Sequence, residues 1–421
     1  MSCAVPGDPV LETMENGMSI ITKENRGSNI ASVVLAVKAG SIFESEENNG
    51  ISSLLEKVLF KKSSGYDDIP KVIDSFGGQF FSTANRDFTV FSVTVNSDKV
   101  PAVIDLFSNA IAAPVITEEM VQSSRADMLA GLASASKNPR AVITREYMKH
   151  AYTVHPYRLS PSGTPSSVKH ISLQEIKDYF SSLYIPGNMA VVVAGDIDRH
   201  SVVSQCRNAF SGFSGNPVMA FSWKAEPQKT SKTEIELSSK TTEDAAVVAV
   251  GWHSPGIRNS DTFAMDIILQ SMTRGISARL NYQLGEKMQS VYWTWGNYVT
   301  SREPGSFILY ATCEPSQARQ VKEKILKEID VLRRDSITPK ELKKAKVYFL
   351  SGAVYDNESL IDYTYSLAFW SINEDFHFAE NYLKNIQSVT LQDVQRVAQT
   401  YLTDDSYTSV ILYPETWNGR R

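Results

Sequence analysis

Cysteine, histidine and long apolar runs are all scarce in this chain of 421 residues, and each scarcity removes a class of chemistry. The three cysteines, Cys3, Cys206 and Cys313, lie far apart and form no C-x-x-C pair, which argues against a disulfide framework and against a thiolate zinc site. They read as buried or idle thiols. The six histidines offer one close pair, His150 and His155, whose spacing does not put both rings on one helix face. No segment approaches the ~20 apolar residues needed to span a bilayer. Charge of one sign is not concentrated either: with a net charge of -5 and no long Lys/Arg block, the chain lacks the footprint of a polyanion-binding protein. A G-x-S-x-G elbow, a Walker loop and a G-x-G-x-x-G turn are absent. The opening MSCAVPGDPV has neither the basic start and apolar core of a signal peptide nor an Arg-rich transit pattern. Cys3 is read as a chance cysteine in preference to the remnant of a lipoprotein processing site.

What is present is the composition of a folded protein, 42% hydrophobic and 21% charged, long enough for two or more domains. The β-branched stretch Ser28 to Ile42 predicts a buried strand ended by Gly40, and ISSLLEKVLF, from Ile51, repeats its apolar residues at helical spacing. QFFSTANRDFTVFSVTVN, from Gln79, alternates as a strand pair should, with Ala84, Asn85 and Arg86 near its turn. Amphipathic segments follow, one of them opening at Thr117 with Glu118 and Glu119 in its first turn. Helices and strands in such runs predict an α+β fold.

An internal repeat sets the domain count. ISLQEIKDYFSSLYIPGNMAVVVAGD, from Ile171, is matched by VTLQDVQRVAQTYLTDDSYTSVILYPE, from Val389. ITEEMVQSSRADMLAGL, from Ile116, pairs with ITPKELKKAKVYFLSGA, from Ile337, and VVLAVKAGS, from Val33, with VVAVGWHSP, from Val247. The three matches share nearly one offset, about 214 to 221 residues, which chance similarity does not produce together. Two copies of one α+β unit are expected, 1–220 and 221–421, each a mainly antiparallel sheet with helices packed on one side. The polar stretch Phe221 to Ser239 is the expected linker and first strand of the second copy, with a hinge near residue 225.

Over almost its whole length the chain resembles the pitrilysin superfamily of inverted-motif zinc peptidases, which includes insulin-degrading enzyme, the mitochondrial processing peptidase and the core subunits of the cytochrome bc complex. The resemblance is carried by VKAGSIFESEENNGISSLLEKVLFKKSSGY, IDSFGGQFFSTANRDFTVFSV, HPYRLSPSGTP, YIPGNMAVVVAGDID and SARLNYQLGEKMQSVYWTW, in that order and spacing. Active members carry H-x-x-E-H on a helix, two histidines binding zinc and the glutamate acting as general base. In this chain the frame reads Ser53-Leu54-Leu55-Glu56-Lys57, and only Glu56 matches. A serine hydroxyl stays protonated at neutral pH, and a lysine puts an ammonium where a cation should sit. The third ligand of the family, a glutamate on a later helix, falls at Gly131, or near Ala133 by ungapped counting. The comparison therefore implies no metal and no cofactor, a helix kept for packing, and at most a salt bridge from Lys57 to a nearby carboxylate.

In two-chain members the metal-free partner supplies an arginine and, seven residues later, a tyrosine that meet substrate and tetrahedral intermediate. The matching frame LGEKMQSVY puts Tyr292 at the tyrosine and Gly285 at the arginine, leaving a phenol without the charge-assisted donor. The glycine-rich loop of the processing peptidase's metal-free subunit is reduced to Gly275. The strand holding Ser82, Thr83, Ala84 and Asn85 corresponds to the family's edge for an added peptide strand, a mode carried by backbone hydrogen bonds. The resemblance implies a catalytically inactive partner of a homologous zinc-bearing peptidase chain, helping to enclose peptides and lending Tyr292. Its alternatives are a structural core-type subunit of a respiratory or other assembly and a self-associating, stand-alone peptide-binding homodimer. Bacterial periplasm or cytoplasm and the mitochondrial matrix are all compatible with it, without a membrane span of its own.

Overall fold

The computed structural model describes residues 8–62, 68–215, 223–287, 289–373 and 376–417, with no side-chain description for 353–358, 376–377 and 379–380. Cys3, and Phe221 and Ser222 of the expected linker, lie outside the described residues. The chain forms two compact units. The first combines Met1–Ala130, Ser160–Ser222 and Ala353–Ala379; the second combines Gly131–Leu159, Trp223–Gly352 and Glu380–Arg421.

In the first unit, strands β1 (Val10–Thr13), β2 (Ser19–Glu24), β3 (Ile30–Val37), β4 (Gln79–Ala84), β5 (Thr89–Asn96) and β6 (Met189–Gly195) form one sheet in the order β1-β2-β6-β3-β5-β4. Only β2 and β6 run parallel. Strand β3 buries every residue after Ile30, and β6 buries all of its residues. Such a run needs cover on both faces. On one face Phe60 stacks on Phe91, with ring centroids 4.2 Å apart, and meets Phe107 edge-on, which seats the helices Ile51–Leu59 and Val100–Ala112 of the first half. On the other, Val34, Ala36, Val90, Ala190 and Val192 pack against Leu367, Ala368 and Ile372 of the helix Leu360–Asn373. A helix from the far end of the chain thus completes this core.

In the second unit, β7 (Thr233–Ser239), β8 (Ala246–His253), β9 (Val291–Val299), β10 (Ser306–Cys313) and β11 (Thr408–Pro414) form a sheet in the order β7-β11-β8-β10-β9. Again one pair, β7 with β11, is parallel. The order repeats that of β2, β6, β3, β5 and β4, so the repeat read from the sequence is a repeat of topology. The exchange is mirrored too, because the helix Pro139–Ala151 from the first half packs on β8 and β11. Its Tyr147 approaches so closely that a Cβ at Gly251 would lie 2.5 Å from the tyrosine hydroxyl. The repeated S/T-L-Q-acid signature forms the same device twice. Ser172 with Glu175, and Thr390 with Asp393, close capping boxes on the helices Leu173–Leu183 and Leu391–Tyr401.

Among the described residues each sheet ends on two strands paired along one side only, β1 and β4 in the first and β7 and β9 in the second. Among the described residues, no helix is long and apolar enough to cross a membrane.

Candidate functional site

The helix Ile51–Leu59 begins at Gly50, whose φ of 98° is the left-handed region that favours glycine. No side chain within the helix caps it. Its free N–H groups go instead to Glu44, whose carboxylate accepts from the backbone of Gly50 at 2.8 Å and of Ser52 at 3.0 Å, from Ser52 Oγ at 2.5 Å and from Asn49 Nδ2 at 2.7 Å. Burial pushes the Glu44 carboxyl above its ordinary range, and these four donors oppose the shift. Ser52 Oγ also lies 2.7 Å from the hydroxyl of Tyr179, which donates to Gly40 O at 3.0 Å. Glu44 and Tyr179 were not singled out in the sequence; a carboxylate six residues before a glycine carries no signal until the fold closes the loop over it.

The motif positions follow on this helix. Ser53 is buried and its hydroxyl donates to the carbonyl of Pro161 at 2.8 Å. Glu56 is 8% exposed and accepts a short hydrogen bond from the Ser82 hydroxyl on β4. Burial raises the pKa of Glu56 above the usual carboxylate range, against the Ser82 hydrogen bond and the nearby charge of Lys57. Lys57 itself is exposed, and among the described residues it forms no ion pair with a carboxylate. Gly131 is an exposed residue of the helix Glu118–Ala135, and a Cβ there would meet nothing within 4 Å.

This donor set does not fit a zinc ion. The hydroxyl of Ser53 is committed to a backbone carbonyl, Lys57 offers an ammonium, Gly131 offers no atom, and one carboxylate is too few for a tetrahedral site. Among the described residues no group of three or more His, Cys, Asp or Glu side chains is placed to hold a metal.

Of the expected peptide edge, Ser82, Thr83 and Ala84 lie on β4, and Asn85 opens the turn, its N–H donating to Phe88 O at 2.8 Å. Phe81 beside them is 53% exposed. The structure therefore brings Ser82 of the edge strand onto Glu56 of the motif helix, a contact the sequence did not predict.

In the second unit, Tyr292 stands on edge strand β9, 55% exposed, with its hydroxyl donating to Glu314. That hydrogen bond holds the phenol pKa above its ordinary value. Tyr292 and Gly285 line one cavity of about 350 Å³ with Ile276, Asn281 and Trp293. A Cβ at Gly285 would meet no atom within 4 Å, so the arginine position of the frame is open space beside the tyrosine.

Two family profiles match in succession: one described as Insulinase (Peptidase family M16) over residues 19–164, and one described as Peptidase M16 inactive domain over residues 170–347. The zinc protease PqqE of Helicobacter pylori is 23% identical over 96% of this chain and 92% of its own length. The beta subunit of the mitochondrial-processing peptidase of Dictyostelium discoideum is also 23% identical, over 94% of this chain and 87% of its own. Among solved structures, a protease from Helicobacter pylori superposes with a TM-score of 0.92 at 21% identity, covering 97% of this chain and all of that one. A chain of complex III2 from Candida albicans superposes with a TM-score of 0.81 at 16% identity, covering 96% and 95%. With both halves matched in order, a fold repeated in sheet topology and a motif helix in the family's place, the chain belongs to peptidase family M16, as a member without the zinc ligands of the H-x-x-E-H frame.

Proposed function

We propose that this chain is the non-catalytic subunit of a two-chain M16 peptidase, paired with a homologous chain that carries zinc, and that it forms part of the chamber that holds peptides. One observation carries the reading: the helix that would bind metal holds a buried serine committed to Pro161 O and an exposed lysine at its two ligand positions, while Tyr292 keeps an exposed phenol on an open edge strand. A phenol so placed can exchange Glu314 for the oxyanion or backbone of a substrate held by the partner's metal. Peptide would enter as an added strand, and β4 with Ser82, Thr83 and Ala84 offers the unpaired backbone edge for it. That one relative is named as a subunit, and that a chain of an assembly shares the fold, supports an oligomeric role.

The test is purification of the tagged chain from its native cell, with identification of what comes with it and a cleavage assay on unfolded peptides. A one-to-one complex with a zinc-helix homologue, cleaving until a chelator is added, is the expected result. Tyr292→Phe in that complex should then lower kcat by about 10- to 1,000-fold with little change in KM, as loss of a transition-state donor does. A second reading, a core-type structural subunit, is favoured by the missing guanidinium at Gly285. Recovery of the chain in a large assembly without peptidase activity would put that reading first.

A further inference from the structure

A second cavity in the second unit, about 440 Å³, opens between the helix Asp261–Thr273, the π-helical segment Asn281–Lys287 and the helices Ala318–Asp335 and Pro339–Glu358. Its size suits one or two amino-acid residues. Four cations line it, Arg274, Arg279, Lys340 and Lys344, against two carboxylates that are both taken. Glu341 accepts from Arg279 at 2.7 and 3.0 Å, and Glu328 faces Lys324 at 3.6 Å. Among the described residues neither Arg274 nor Lys340 has a carboxylate partner. Two tyrosines, Tyr282 and Tyr348, each 43% exposed, add apolar walls, and the Arg274 guanidinium lies 5.6 Å from the Tyr348 ring centre. In the wall stand two buried polar atoms without partners among the described residues, the side-chain oxygen of Gln270 and Nη1 of Arg279.

We infer that this cavity is a binding site for the carboxyl terminus of a peptide that ends in an aromatic or large apolar residue. A terminal residue of this kind carries the complement of the cations and of the aromatic faces in the wall. Its carboxylate answers the two cations without a carboxylate partner, Arg274 and Lys340. Its side chain suits the faces of Tyr282 and Tyr348. The inference does not depend on a zinc-bearing partner, because every residue named belongs to this chain's second unit.

The full chain is titrated with N-acetylphenylalanine, N-acetylphenylalaninamide, 3-phenylpropanoate, inorganic phosphate and a six-residue peptide ending in phenylalanine, followed by calorimetry and by the tyrosine ring signals. Saturable binding of N-acetylphenylalanine and of the peptide is expected, at least about tenfold tighter than the amide, the phenylpropanoate or phosphate. Arg274→Gln and Lys340→Gln should each weaken it by about tenfold with the melting temperature unchanged, while Lys343→Gln, which does not line the cavity, should leave it as it is. Equal binding of 3-phenylpropanoate would make this a site for simple aromatic acids and overturn the peptide assignment. Equal binding of phosphate would reduce it to a general anion patch, and no binding by any probe would overturn the site itself.

Discussion

At the scale of single residues, the motif helix holds one packed and one exposed side chain where a metal site would need two ligands. Ser53 is buried and donates to Pro161 O, so a larger side chain there would have to displace its neighbours. Ser53→His should therefore destabilise the fold by about 1–3 kcal/mol, the usual cost of overpacking, read as a lower urea midpoint. An unchanged midpoint would mean that the position accommodates an imidazole without strain. A different residue sets a pH dependence. Asp266 accepts from the Tyr382 hydroxyl at 2.6 Å, and burial of its carboxyl pushes its pKa up to about 7. The folded state then holds a proton that the unfolded chain has already lost, so this group's contribution to stability falls as pH rises from the ordinary carboxylate range to about 7. Asp266→Asn removes that dependence, and its gain in melting temperature relative to the parent should be larger at about pH 8 than at about pH 4.5. Equal differences at both pH values would show that Asp266 is not held protonated.

At the scale of elements, the free sides of β4 and β9 are the features with functional weight. Alternate residues of a terminal strand turn N–H and C=O groups away from their one neighbour, and a row of this kind pairs with extended chain. Addition of an unfolded peptide should slow hydrogen exchange at β4 amides by at least about tenfold and leave the central strand β6 unchanged. Uniform protection across the sheet, or none, would remove β4 as the peptide edge. Strand β4 also shows what was readable beforehand. The alternation of QFFSTANRDFTVFSV placed the hairpin and its turn, because successive side chains of a strand point to opposite faces and those of the edge strand β4 differ in burial. The Ser82 to Glu56 contact was not readable, since 26 residues separate the pair and only the packing of helix on strand brings them together. The Glu44 cap is of the same kind.

At the scale of the whole molecule, each unit depends on a helix from the other half of the sequence. The helix Leu360–Asn373 covers Val34, Val90 and Val192, and the helix Pro139–Ala151 covers β8 and β11. A fragment holding residues 1–220 alone would leave the first face bare, and contiguous apolar surface of that size drives aggregation. The fragment should expose dye-binding hydrophobic surface and lack a cooperative melt, and addition of 221–421 should restore it. Leu367→Ala in the full chain, at a residue 3% exposed, should cost about 2–5 kcal/mol. A fragment 1–220 that melted cooperatively by itself would show that the exchanged helix is dispensable.

The amino-acid sequence alone determined the local elements and the twofold repeat, and by its resemblance to the family the absence of zinc ligands from the frame Ser53 to Lys57, because these are written in short-range terms: periods of two and of 3.6, a signature repeated at one offset, and residue types that do not ligate zinc. Tertiary structure alone decided which helix closes which sheet, what occupies the ligand positions, and which cations are left facing a cavity. Those are outcomes of long-range packing, in which an apolar run such as SVVLAV specifies that both its faces will be buried and says nothing about which segment will bury them.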